Sequence, residues 1–405
     1  MNEKPAHNSR IVWIAGLLLL ASAINYMDRQ TLANVAVRIS SEFSMSHKQY
    51  GNLEAGFGWA FAVGSLFFGF LADKVSVRWL YAGVVLLWSA TGFASGFVES
   101  YDQLLVCRVL LGFFEAGHWP CGIKTVRAML DARGRAMGNS VLQSGTSIGA
   151  IATPLIMRWL LTDNTTSWRL PFQLIGAVGV LWVVAWMVTG PRDFSPAASD
   201  DPHASDPWWR LLLNRRMLII LVVVALINTT WQLLRAWLPQ FLQEGRGYAE
   251  HETLYYNSVW FVATDVGCLG AGALALWLAR RGRPIFQARL FTFFVCSVMC
   301  LLAVALPWLQ QGWLLLGLLL LVGAGALGVF PIYHAFTQDL SHRHQGKVTG
   351  IAGVAAWAFS PFAQRMFGRH VDATHSFDQG LAMAGCLPML ALLLLAVAWP
   401  RSKTV

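Results

Sequence analysis

Twelve stretches of this chain are apolar over about 20 residues each, the length an α-helix needs to cross a hydrocarbon core of about 30 Å. They fall near 11–38, 49–72, 78–98, 101–127, 134–160 and 168–190, then near 216–243, 253–279, 286–307, 312–337, 347–369 and 378–399. The runs are continuous rather than alternating, which selects helices over a barrel whose strands alternate lipid-facing and lumen-facing residues. Of 405 residues, 56% are hydrophobic and 13% charged, too few polar side chains to cover a water-soluble globule of this size. The expectation is an all-α membrane protein with twelve transmembrane helices in two pseudo-symmetric bundles of six.

The break between the two sets is compositional. Pro191-Arg192-Asp193-Phe194-Ser195-Pro196 through Asp206-Pro207 is polar and proline-rich and cannot pack a core, so 191–215 reads as a linker between bundles at 1–190 and 216–405. The first apolar run follows a short basic tail but continues through Asn25-Tyr26-Met27-Asp28-Arg29 into more helix, without a small-residue cleavage site, so it reads as a retained helix rather than a secretory signal. The formal charge of +9 follows the loops. With both termini inside, the cytoplasmic loops carry Lys74, Arg78, Arg127, Arg133, Arg135, Arg210, Arg215, Arg216, Arg280, Arg281, Arg283, Arg343 and Lys347, the bias that sets topology in an inner (plasma) membrane. That bias accounts for the basic excess and removes nucleic acid as a partner. Six cysteines lie in apolar segments without paired spacing, and read as packing thiols rather than disulfides or metal ligands.

After the second helix comes Gly69-Phe70-Leu71-Ala72-Asp73-Lys74-Val75-Ser76-Val77-Arg78, echoed after the eighth by Gly272 through Arg283 without the aspartate. The first copy resembles the loop signature of the major facilitator superfamily, with Ser76 where glycine is usual. The resemblance implies that fold, and a gating role for Asp73 and Arg78: the aspartate contacts the start of a neighbouring helix, whose positive terminus its carboxylate favours.

Charged side chains inside apolar windows cost at least a few kcal/mol unless they face a cavity or a partner. Helix 1 carries Asn25, Tyr26, Asp28 and Arg29, and helix 4 carries Arg108 and Glu115, seven residues and so two turns apart on one face, with His118 beyond them. These segments, with Gly112, Pro120, Ser144-Gly145-Thr146-Ser147-Ile148-Gly149-Ala150 and Pro154, resemble the anion:cation symporter family, which contains bacterial hexuronate and galactonate transporters and animal carriers of sialic acid, glutamate and phosphate. In the second half the likeness rests on Trp237-Leu238-Pro239, Asp265-Val266-Gly267 and Gly346-Lys347-Val348-Thr349-Gly350. It implies that Arg29 receives a substrate carboxylate while Asp28 and Glu115 carry protons; the alternative is that Asp28-Arg29 and Arg108-Glu115 are buried ion pairs that fix helix packing, with Arg108 a charge partner of Glu115. A proton-linked carboxylate beside a substrate-binding guanidinium is sufficient coupling for symport.

Arg235, in the seventh helix, offers a second cation to an anionic substrate or reaches for the outer interface, and Asp265 is its charge partner, a second proton position or a packing residue. Tyr26, Phe61, Thr146, Asn228 and Trp357 are candidate substrate contacts; the alternative for such residues is helix–helix packing. His118 reads as a satisfied interior histidine and Lys124 as a residue reaching for the membrane edge. Galactonate transporters have tyrosine where Phe61 aligns and glutamine where Thr146 aligns, and Trp357 stands where a polar residue is expected, so the particular sugar acid is not carried over. His334, His342, His344 and His370 lack a convergent carboxylate pattern, and no metal is assigned. No nucleophile with a base appears, which excludes an enzyme.

The function expected is a secondary active transporter importing small organic anions, sugar acids such as hexuronates or hexonates, with protons as the coupling ion, by alternating access to a midplane site. Sodium in place of protons, an exporter, and a transporter-like nutrient sensor are the alternatives. No cofactor is expected, and the partners are the small anionic substrate and the lipid bilayer, with the chain acting as a monomer.

Overall fold

A computed structural model describes residues 4–129, 135–191, 214–338 and 345–399. Fourteen α-helices run through these residues, with no strand among them: α1 (Lys4–Asn34), α2 (Ala36–Glu42), α3 (His47–Lys74), α4 (Val77–Ser95), α5 (Tyr101–Glu115), α6 (His118–Met129), α7 (Arg135–Leu160), α8 (Arg169–Thr189), α9 (Arg215–Gln240), α10 (Glu250–Arg280), α11 (Ile285–Leu301), α12 (Trp313–Gln338), α13 (Gln345–Thr374) and α14 (Asp378–Ala398). Among the described residues nine helical segments are long and apolar enough to cross a membrane. The other three expected windows have local reasons to fall outside that set. The 101–127 window is split between α5 and α6 at Ala116-Gly117, while α7 and α13 are 26 and 30 residues long but rich in serine, threonine, glutamine and basic side chains. The expected linker, the histidines at 342 and 344, and the cationic loop residues Arg133, Arg210 and Arg343 lie outside the described residues.

The chain divides into two compact units, Met1–Met45 with Gly56–Asp200 and Ser46–Ala55 with Asp201–Val405. The helix α3 thus belongs to the first unit for most of its length and to the second in its opening turns.

In the first unit α1 packs along α7. Lipid tails are as apolar as leucine, so such helices associate through close backbone approach and interhelical hydrogen bonds rather than hydrophobic burial. Gly145 and Gly149, one turn apart on α7, make the approach possible. A Cβ on Gly145 would lie 2.1 Å from the carbonyl oxygen of Leu19, and one on Gly149 2.4 Å from that of Ala23. The aromatic wall between α4 and α8 follows another rule, that buried indole N–H groups find acceptors. Trp182 and Trp186 stack at 5.2 Å between centroids. Their Nε1 atoms donate to the carbonyls of Leu17 at 2.7 Å and Arg78 at 3.0 Å.

The second unit is built around α9, where Ile220, Val223, Val224 and Ile227 meet Phe293 of α11, Val329 of α12 and Leu395 of α14. Trp260 of α10 stacks on Trp231 of α9 at 5.6 Å and donates to the carbonyl of Leu319 at 3.1 Å. The opening turns of α3 dock here through their own backbone. Asp372 of α13 accepts from the amides of His47 and Lys48, each at 2.9 Å, and so satisfies donors that a helix start leaves without partners. The His47 ring bridges Asp372 at 3.0 Å and Glu244 at 2.7 Å.

Candidate functional site

Helix α1 places Asn25 and Arg29 on one face, one turn apart, and the asparagine Oδ1 accepts from Nη2 of Arg29 at 3.0 Å. Nε of the same guanidinium donates to Oε2 of Glu115, the last residue of α5, at 2.6 Å. Glu115 is wholly buried and the arginine side chain is 7% exposed. Aromatic faces complete the setting, with Phe61 4.6 Å, Phe57 5.3 Å and Tyr26 5.9 Å from the guanidinium carbon. In a desolvated position each such cation–π contact is worth up to about 2 kcal/mol. Arg108 is buried two turns before Glu115, with its guanidinium carbon 4.5 Å from the Phe57 ring centroid. The structure therefore assembles Tyr26, Arg29, Phe61, Arg108 and Glu115, drawn from α1, α3 and α5, within one unit.

Asp28 lies one residue before Arg29 on α1. It is fully buried, and neither carboxyl oxygen has a hydrogen-bond partner among the described residues. Its seat is provided by Gly92 of α4, where a Cβ would come within 2.9 Å of Oδ1. An ionised carboxyl that is buried without hydrogen bonds costs several kcal/mol, and a bound proton removes that cost.

Other residues singled out in the sequence have structural partners. His118 is satisfied at both ring nitrogens, by Ser22 Oγ at 2.9 Å and Tyr81 OH at 2.9 Å. Thr146 donates to the carbonyl of Gln143 on its own helix at 2.7 Å. Lys124 donates from Nζ to the carbonyl of Ala72 at 2.6 Å, in the last turn of α3. Arg78 donates from Nη1 to the carbonyls of Gly190 at 3.0 Å and Pro191 at 3.1 Å and from Nη2 to that of Met187, capping the C-terminal end of α8. The side chain of Asp73 lies outside the described residues.

In the second unit the carboxylate that meets Arg235 at 2.6 Å is that of Glu54, which the sequence reading passed over in favour of Asp265. Asp265 stands half-buried on α10. The signal for Glu54 was available: it is a lone carboxylate inside an apolar window, the criterion that drew attention to Asp28. Asn228 donates from Nδ2 to the carbonyl of Ala356 at 2.8 Å, tying α9 to α13, and Trp357 packs against the core of the unit. The ring of His47 and the carboxylate of Asp372 are the other polar groups that sequence reading missed. No periodicity joins residues 325 positions apart.

A profile of the Major Facilitator Superfamily matches residues 18–363. In sequence the chain is 27% identical over 395 residues to the "Probable L-galactonate transporter" of Escherichia coli K12, spanning 92% of this chain and 85% of that protein. It is 23% identical over 409 residues to the "Hexuronate transporter" of the same strain, spanning 95% and 87%. It is 23% identical over 427 residues to that strain's "Probable galactarate/D-glucarate transporter", spanning 96% and 94%. In structure it resembles a bacterial homologue of the human lysosomal transporter Spinster, in an inward-facing and occupied conformation, with a TM-score of 0.79 over 98% of this chain and 97% of that one. At 16% identity that likeness speaks to the fold alone.

Proposed function

The chain belongs to the Major Facilitator Superfamily and is a membrane transporter rather than an enzyme, and within that family we propose that it imports sugar acids such as hexonates and hexuronates together with protons. The observation that carries this reading is the buried contact of Arg29 with Glu115 at 2.6 Å, next in sequence to an Asp28 carboxyl that no hydrogen bond satisfies among the described residues. A substrate carboxylate and Glu115 compete for one guanidinium. Whichever loses it is left as a buried charge, at a cost of about 3–5 kcal/mol, and a proton on Glu115 relieves that cost when the substrate takes Arg29. Asp28 supplies the second proton position. The aromatic faces of Tyr26, Phe57 and Phe61 keep water from the guanidinium and suit the apolar face of a sugar chain.

Both termini are assigned to the cytoplasm and the chain to the inner membrane, from the basic loops counted above. The proton-motive force then drives uptake. Proteoliposomes holding the full chain test the reading with labelled D-galactonate. Uptake against a gradient requires inward acidic pH drive, Arg29→Ala abolishes it, and Glu115→Gln abolishes accumulation while leaving exchange of internal for external substrate. Accumulation driven by a sodium gradient at equal pH, or unimpaired pH-driven accumulation by Glu115→Gln, overturns the coupling assignment.

A further inference from the structure

Within the second unit the opening turns of α3 lie backbone to backbone against α13. A Cβ on Gly51 would fall 2.5 Å from the carbonyl oxygen of Gln364, and one on Gly368 2.2 Å from that of His47. One turn before Gly51, the His47 ring joins three segments. Its Nδ1 is 3.0 Å from Oδ1 of Asp372 on α13. Its Nε2 is 2.7 Å from Oε2 of Glu244, in the π-helical turn Phe241–Gly245 that follows α9. Phe377 meets the ring edge-on at 5.3 Å between centroids, with Trp237 6.4 Å away. The ring and Glu244 are each 30% exposed and Asp372 31%, so water reaches the bridge.

A neutral imidazole has one N–H and one lone pair, and an ionised carboxylate only accepts. Asp372 already accepts from the amides of His47 and Lys48. Both ring contacts are therefore hydrogen bonds when the bridge holds one proton more than a neutral ring between two carboxylates, and an imidazolium supplies it. We propose that His47 is a proton-binding site at the outer end of α3, whose imidazolium clips the start of that helix to α13 and to the turn after α9. Once the proton leaves, one ring nitrogen turns a lone pair on a carboxylate, and that link opens. The clip thus contributes in acid and is lost as pH rises through its folded-state value. Among the described residues the other charged groups nearby are held elsewhere or point to solvent. Arg246 is taken by Asp378 and by the carbonyls of Leu306 at 2.9 Å and Leu309 at 3.1 Å, while Arg365 and Arg369 of α13 are exposed. The site does not depend on the sugar-acid reading; it uses the orientation assigned from the basic loops, which puts the end of α3 opposite Lys74 outside.

Hydrogen exchange of the full chain in detergent, read by mass spectrometry at about pH 5.5 and about pH 8.5 on either side of the histidine range, tests the proposal. After correction for the intrinsic rate at each pH, amide protection over 46–53 and 241–247 is expected to fall at least about tenfold at the higher pH, the factor carried by one charge-assisted hydrogen bond. Protection over α4 is expected to stay level. His47→Gln, which keeps a donor and an acceptor but binds no proton, is expected to give equal protection at both values. Glu244→Gln removes one carboxylate, leaves the Asp372 caps in place, and is expected to move the midpoint of the protection curve toward acid by about half a pH unit or more. That shift carries the test if His47→Gln does not fold. Level protection in the unsubstituted chain, a fall that persists in His47→Gln, or an unmoved midpoint in Glu244→Gln overturns the inference, and none of these results bears on sugar-acid uptake.

Discussion

Arg29 of α1 and Glu115 of α5 meet through Nε and Oε2 at 2.6 Å, from positions 86 residues apart, with the carboxylate wholly buried. The contact holds together two helices of the first unit and places a cation where an organic anion needs one. Removing either partner takes a buried ion-pair contact from the other. Arg29→Ala and Glu115→Ala should each destabilise the chain by about 3–5 kcal/mol, whereas the double variant should cost much less than their sum. Thermal unfolding of the three variants checks this. Additive losses would mean that the two side chains do not depend on one another.

Gly92 receives the Asp28 carboxyl, and a methyl group there would sit 2.9 Å from Oδ1. Gly92→Ala should therefore move the midpoint of the pH profile of galactonate uptake by about half a unit or more, because it displaces a carboxyl assigned to proton coupling. Gly83→Ala, on the same helix with nothing within 4 Å of the added Cβ, should leave the profile in place. Identical profiles for both variants would separate Asp28 from coupling.

The close crossing of α1 and α7 should be sensitive to a single methyl. Gly149→Ala drives a Cβ to 2.4 Å from the carbonyl of Ala23, and forcing the helices apart should cost about 1–3 kcal/mol in unfolding. Gly16→Ala, in an open stretch of α1, should cost nothing measurable.

Arg78 caps α8 through three carbonyls. Arg78→Ala should lower stability by about 1–2 kcal/mol even without substrate, and Arg78→Lys should recover only part of it, because one ammonium does not replace a fork of donors. A variant of unchanged stability with altered transport would favour the gating role drawn from the loop signature.

Glu42, at the end of α2, accepts from Arg169 at 2.9 Å and from Nε1 of Trp168 at 2.5 Å. The Arg169 hydrogen bond holds its carboxyl below the usual range, with the indole contact adding to the effect. A carboxyl whose affinity for protons is lower in the folded chain stabilises it above the unfolded-state pKa and loses that contribution as pH falls through the folded-state value. Glu42→Gln should therefore cost about 1 kcal/mol at neutral pH, nothing in strong acid, and flatten the decline in melting temperature below about pH 5. An unchanged acid limb would show that the Arg169 contact contributes nothing to folding.

Much of this architecture is legible in one dimension. The windows 49–72, 78–98 and 312–337 became α3, α4 and α12, because twenty apolar residues in a row permit few other structures once backbone groups must satisfy one another. The windows that strayed did so for local reasons, as at Ala116-Gly117, where α5 ends and α6 begins. Asp28, Arg29, Arg108 and Glu115 announced themselves by charge in an apolar setting. Glu54 satisfied the same criterion and was passed over because no motif framed it.

The sequence alone determined that the chain is helical and membrane-embedded, and which few charged side chains had to be explained, since hydrophobic length and the cost of buried charge are properties of single segments. Only the tertiary structure decided who pairs with whom. Glu115 faces Arg29, Arg235 faces Glu54 across 181 residues of chain, and Asp28 is seated against a glycine. Periodicity reports the face a residue occupies on its own helix, whereas an ion pair depends on the rotation and depth of two helices against each other, which packing sets.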